Sequence, residues 1–261
     1  MKESTKINWK LYRILLAACI FSIAASLPYA FSLAEERLKS TPIPFPLLII
    51  ISILQSSVIF AIILFFGLKL SKKTGLKTAI IEKLILHNKT PELKPIIKLS
   101  ILSGVLIGVL LIAIDFIFTK LGVEISFWTG QIPVFWKSLL ASFYGGIGEE
   151  ILLRLFFVSL LALLFAKIKK SDGNISENSS IMWTSIIIAS VIFGLGHIPI
   201  TAAVTPLTPL VVVRALLLNG FGGIVFGWLF WKKGLLSAMI AHFSTDMVMQ
   251  VIFPGLLILI N

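Results

Sequence analysis

The chain has 261 residues, 57% of them hydrophobic and 13% charged, with a mean hydropathy of +1.02. A soluble domain carries about 25% charged residues, so a soluble enzyme or binding module of this composition is excluded: it would have more apolar surface than it could bury. The formal net charge of +11 raises the question of nucleic acid, but the Lys and Arg residues fall between apolar runs, which makes them a topology signal and excludes nucleic acid as a partner.

Seven apolar runs reach the length of about 20 residues that a helix needs to cross the roughly 30 Å hydrocarbon layer. They are residues 14–34, 45–68, 97–119, 134–166, 181–200, 207–231 and 234–260. The first follows basic residues as a signal peptide would. Its apolar core continues to about residue 34 without a clear small-x-small cleavage site, so it is expected to stay as a span. It holds the one cysteine, Cys19, which excludes an intrachain disulfide and a cysteine-based zinc site.

The longest polar connection, residues 69–96, carries Leu76, Ile80, Ile81, Leu84 and Ile85 at near-helical spacing, with Lys77, Glu82 and Lys83 between them. That pattern predicts a helix lying in the cytoplasmic interface and ended by Pro91 and Pro95; a basic loop touching anionic lipid fits as well. The fourth run is long enough to project from the membrane. The seventh contains Pro254, where a helix bends or breaks, so an eighth span is the alternative to seven. Trp128, Trp136, Trp183, Trp228 and Trp231 stand near span ends, where aromatic rings anchor at the headgroups.

Seventeen Lys and Arg fall in the N-terminus and the second, fourth and sixth loops, against four (Arg37, Lys39, Lys120, Lys137) on the other side. The expected fold is therefore an all-α polytopic transmembrane helix bundle of about seven spans, multi-pass in the cell membrane, with a cytoplasmic N-terminus.

Eight ionisable residues remain inside apolar runs: Asp115, Glu149, Glu150, Arg154, His197, Arg214, His242 and Asp246. Each costs at least ~2.5 to 3.5 kcal/mol near a helix centre if unpaired, so such residues face a bundle interior and mark a site. Glu150 and Arg154 are four apart and can pair on one helix face, while Glu149 points about 100° away and stays free to react. Gly145, Gly146 and Gly148, just before, permit close helix approach or a local opening. His197 ends Phe193-Gly194-Leu195-Gly196-His197 and precedes Pro199, and His242 and Asp246 share one face four residues apart.

These motifs, Glu149-Glu150-Ile151-Leu152-Leu153-Arg154, Phe193-Gly194-Leu195-Gly196-His197 and His242-Phe243-Ser244-Thr245-Asp246, resemble in order those of the type II CAAX prenyl protease family. That family, also called the CPBP family of intramembrane proteases, includes relatives associated with bacteriocin processing and self-immunity. The resemblance covers residues 135–255, leaving residues 1–134 as three N-terminal spans with their interfacial loop and 256–261 as the end of the last segment.

It implies an intramembrane endopeptidase with Glu149 as general base, His197 helping to hold the water, and His242 and Asp246 at the oxyanion. Arg154 would pair with an acidic neighbour to fix the helix. The substrate would be a membrane-associated peptide or protein within the bilayer. The family carries Asn or Asp at the position of Asp246; an ionised Asp accepts hydrogen bonds and cannot donate them, so here the residue is expected to orient His242. No cofactor is expected. Zinc held by Glu149, His197, His242 and Asp246 is the less favoured alternative, because no His-Glu-x-x-His helix is present.

The span boundaries place His197 about 24 Å and His242 about 12 Å from the basic side at 1.5 Å per residue, so a shared site requires a shifted boundary or a tilted helix. Two other classes use the same charges. An ion- or proton-coupled transporter would show inverted repeats, and none is found; a non-catalytic immunity or scaffold protein would need no intact motif set.

Overall fold

The computed structural model describes residues 7–86, 88–123, 134–171 and 173–260. Ten helices follow in order among them: α1 (Trp9–Leu33), α2 (Glu35–Lys39), α3 (Phe45–Thr74), α4 (Ala79–Ile85), α5 (Leu93–Lys120), α6 (Phe135–Ile168), α7 (Ser179–Gly196), α8 (Ile198–Val204), α9 (Pro209–Lys233) and α10 (Leu235–Leu259). No strand occurs among the described residues. Seven helical stretches are long and apolar enough to cross a membrane, with α7 and α8 together making one of them.

The alternative of an eighth span is not realised, because α10 runs through Pro254 as one helix. It does so by widening to a π-helix over Met247–Ile252 just before the proline. Proline removes one ladder hydrogen bond and crowds the preceding turn, and local π geometry absorbs both. At 34 residues α6 is the longest helix, about 50 Å at the α-helical rise, in keeping with a projecting fourth run.

Bilayer-facing side chains lie outside and the core within. Leu54, Val58, Leu106 and Val109 are exposed, whereas Leu64, Met182, Ile186 and Leu229 are fully buried in one cluster fed by α1, α3, α6, α7, α9 and α10. Lipid tails solvate leucine as well as other leucines do, so apolar burial alone does not hold such helices together; close packing of small residues does.

Two glycine pairs at four-residue spacing supply that packing. A Cβ at Gly104 of α5 would meet the Ala241 backbone oxygen at 2.3 Å, and one at Gly108 would meet Val248 at 2.8 Å. On α9, a Cβ at Gly223 would fall 2.8 Å from Ser190, and one at Gly227 would fall 2.7 Å from Ile186. The first pair seats α10, which carries His242; the second seats α7, which His197 caps. Ser100 and Ser237 share a 2.7 Å hydrogen bond across α5 and α10, and Thr245 Oγ1 donates to Gly104 O at 3.0 Å.

The connection after α3 forms the short α4 only, ending well before Pro91, while Pro95 stands in the first turn of α5, where its missing N–H is no loss. Leu76 is buried, and Ile81 and Ile85 pack on the core, so this segment touches the bundle along one side, with Leu84 and Leu86 exposed. Lys10 Nζ donates to Ile85 O at 2.9 Å, and Lys83 pairs with Glu92, whose carboxyl the lysine hydrogen bond holds below its ordinary range.

Trp231 departs from the anchor role expected of it. Its ring is buried, its Nε1 donates to Ser176 O at 2.6 Å, and the Trp183 ring packs edge-on against it at 5.9 Å. A partner-satisfied indole fills a core as readily as it marks a headgroup layer. Trp136 is exposed, and Trp128 lies outside the described residues.

Candidate active site

The first motif stands on a stretch of α6 that is not α-helical: Tyr144–Glu149 and Ile151–Val158 are both π-helical. Gly145 and Gly146 let α10 come into contact with the backbone of this stretch, while Gly148 faces Tyr144 and Phe60. A Cβ at Gly145 would lie 2.2 Å from Asp246 Oδ2 and 3.2 Å from His242 Nε2, and one at Gly146 would lie 2.9 Å from Phe243 Cβ. The π turn therefore faces the third motif directly, and π segments inside α-helices recur at functional sites.

Glu150 is fully buried and Glu149 keeps about 20% of its side-chain surface. The two adjacent carboxylates are thereby separated into one sealed and one reachable group. Arg154 Nη1 approaches Glu150 Oε1 to 3.0 Å, as the four-residue spacing led one to expect, and Nη2 donates to Gly223 O at 3.2 Å. The guanidinium lies between the rings of Phe193 and Phe226, 5.1 and 5.3 Å from their centroids, where ring faces favour a desolvated cation.

His242 is buried in the same group. Its ring stacks on Phe226 at 4.5 Å, meets Phe193 edge-on at 5.7 Å, and its Nδ1 lies 2.7 Å from Glu150 Oε1. Nε2 faces Glu149 at 3.7 Å and Asp246 at 3.9 Å, both beyond hydrogen-bond reach. The carboxylate that hydrogen-bonds His242 is therefore Glu150, across the helix interface, and not Asp246 on its own helix. A separation of four residues puts two side chains on one face, but a tertiary neighbour made the shorter contact.

His197 caps the end of α7, where Pro199 and the turn into α8 interrupt the helix. Its Nδ1 is 2.9 Å from Phe193 O; a carbonyl only accepts, so Nδ1 carries the proton and Nε2 presents a lone pair. Its ring meets the Phe193 ring at 4.7 Å, and that same ring touches His242, so the two histidines flank one phenylalanine. No ion pair joins His197 to a carboxylate among the described residues. The starts of α7 and α10 lie within two residues of the expected boundaries, and both histidine rings meet Phe193.

The structure thus gathers Glu149, Glu150, Arg154, His242 and Asp246 into one group and sets His197 beside it across Phe193. Phe226 and the Gly223 carbonyl escaped sequence reading. The four-residue glycine spacing on α9 was the available signal for Gly223; nothing marked Phe226 among 20 phenylalanines. Asp115 and Arg214 form a separate buried ion pair between α5 and α9.

Gly145→Ala is expected to lower turnover about 10²-fold, the scale of a 1 Å misplacement of reacting groups, while the protein remains inserted. Alanine favours a helix interior by up to about 1 kcal/mol over glycine, so loss of helix does not explain such a fall. Activity assays beside a thermal melt in detergent check this, and wild-type turnover would show that Asp246 need not sit against the π turn.

Residues 131–248 match the family model described as type II CAAX prenyl endopeptidase Rce1-like. No curated protein and no solved structure matches the chain. The matched stretch contains all three motifs, and the match supports a CPBP family intramembrane protease.

Proposed function

We propose that this protein is an intramembrane endopeptidase that hydrolyses a membrane-associated peptide or protein with water activated by Glu149. The observation that carries this reading is the division of labour between adjacent carboxylates: Glu150 is sealed against Arg154 and His242, and Glu149 remains reachable beside them.

Glu149 removes a proton from water while the Nε2 lone pair of His197 helps to hold the molecule. The hydroxide adds to the scissile carbonyl, and the resulting oxyanion is met by His242 Nε2, with Asp246 on the other side of the same gap. Collapse breaks the C–N bond, and the proton on Glu149 passes to the departing amine. Each preorganised donor at such an oxyanion contributes about 2.7 to 4 kcal/mol in other hydrolases.

Zinc fits this arrangement poorly. Among the described residues no three His, Cys, Asp or Glu side chains form a group able to hold a metal ion, and His242 Nδ1 is already engaged by Glu150. The surplus of Lys and Arg on one side supports a cell-membrane orientation with the N-terminus in the cytoplasm.

The test compares membrane peptides from cells carrying the wild-type protein with those from cells carrying Glu149→Gln. C-terminal or leader fragments present only with the wild type support proteolysis and identify the substrate; identical peptide sets refute it.

The contact of Glu150 with His242 supports a second role for Asp246, at the oxyanion, which requires it to be protonated. Asp246→Asn should then keep turnover within a few-fold and hold it to higher pH, where an aspartic acid would lose its proton. A pH-rate profile against wild type measures this, and a fall at every pH would return the orienting role to Asp246.

A further inference from the structure

We propose that Glu150, backed by Arg154, is a positioning residue that fixes the tautomer and orientation of His242, and is more than the counter-ion of Arg154. The proposal rests on the reading of His242 as an oxyanion donor and deepens it. A hydrogen bond to a carboxylate from one ring nitrogen decides which face of an imidazole is left for chemistry. Here that bond is the 2.7 Å contact from Nδ1 to Glu150 Oε1.

Three features make the contact directional. Glu150 is fully buried, and its Oε2 has no partner among the described residues, so Oε1 alone takes the imidazole hydrogen bond and stands within ion-pair distance of the guanidinium. Arg154 is itself held by Gly223 O and between two aromatic rings, which leaves the carboxylate little freedom to turn. Phe226 lies nearly parallel under the imidazole, at 19°, so the ring stays in one plane.

The consequence falls on the opposite nitrogen. Nδ1 carries the proton shared with Glu150, and Nε2 points into the gap edged by Glu149, Asp246 and the bare backbone of Gly145 without a hydrogen bond to any of them. When the ring holds its second proton, that N–H is free for a developing oxyanion. Three links, from Arg154 to Glu150 to His242, thus run from the core to the reacting carbonyl.

The first test needs no substrate. The chain has three histidines, so full-length protein labelled with ¹⁵N-histidine in detergent micelles gives few ring signals, and His242→Gln assigns those of His242. The wild type should show His242 protonated at Nδ1; a ring protonated at Nε2 alone overturns the proposal. Glu150→Gln combined with Arg154→Met removes both charges together, so neither is stranded, and methionine fills the space. This variant should shift the His242 signals and leave those of His197 in place.

Cleavage of the fragment-yielding peptide found in the membrane comparison then separates positioning from packing. The double variant should lose at least ten-fold in kcat with KM little changed. A wild-type His242 spectrum together with wild-type kcat refutes the proposal, and should the variant fail to fold, the wild-type tautomer decides alone. Failure of the wider reading looks different: Glu149→Gln would still cleave.

Discussion

Glu149→Gln is expected to lower turnover about 10²- to 10⁴-fold, the range that a positioned general base contributes, while the protein stays inserted and as stable as wild type. The amide keeps the shape and the hydrogen-bonding capacity of the side chain but cannot take a proton from water. Glu149 is partly exposed and comes no closer than 3.7 Å to His242, so its charge is not sealed into the packing as that of Glu150 is. His197→Ala should fall in the same range, since removing the Nε2 lone pair leaves the water held from one side only. The pair is measured by steady-state cleavage of the peptide identified in membranes, with insertion verified by extraction. Wild-type turnover in Glu149→Gln would remove the mechanism. Full activity in His197→Ala alone would leave Glu149 to hold its water unaided, in line with the absence of an ion pair between the two residues among those described.

Glu150→Ala should instead act on stability, costing about 3 to 5 kcal/mol, the penalty for stranding one member of a buried ion pair. Deleting the carboxylate leaves the Arg154 guanidinium among Phe193, Phe226 and the single acceptor Gly223 O, with its counter-charge gone. Reduced yield, a lower melting temperature in detergent and loss of the folded protein at mild denaturant are the expected signs. Glu150→Leu paired with Arg154→Met should recover most of the loss, because a buried pair replaced by apolar side chains of similar volume is often neutral. Failure of that recovery would mean that the arginine has a second structural task. A Glu150→Ala protein as stable as wild type but inactive would exchange the roles of the two glutamates.

The seven crossings were legible before any coordinates, because bilayer thickness sets one length for every span and hydropathy reports it directly. So was the list of buried ionisable groups, since charge in hydrocarbon is costly enough that each such residue needs a partner. The four-residue spacing of Glu150 and Arg154 determined their pairing, for it is a property of the helix alone. What spacing could not determine was any contact between helices. His242 and Asp246 have the same spacing, yet the nitrogen on the far side of the imidazole found Glu150, 92 positions away in sequence. Which carboxylate is sealed and which is reachable depended on how α10 meets the π turn at Gly145, with α10 seated on the glycine stripe of α5. Trp231 shows the same division. Its place near a span end was in the sequence, but whether its indole met headgroups or the Ser176 carbonyl depended on the neighbouring loop. Local periodicity thus placed each group on its helix, while the tertiary packing, through close backbone approach that only glycine allows, chose the partners.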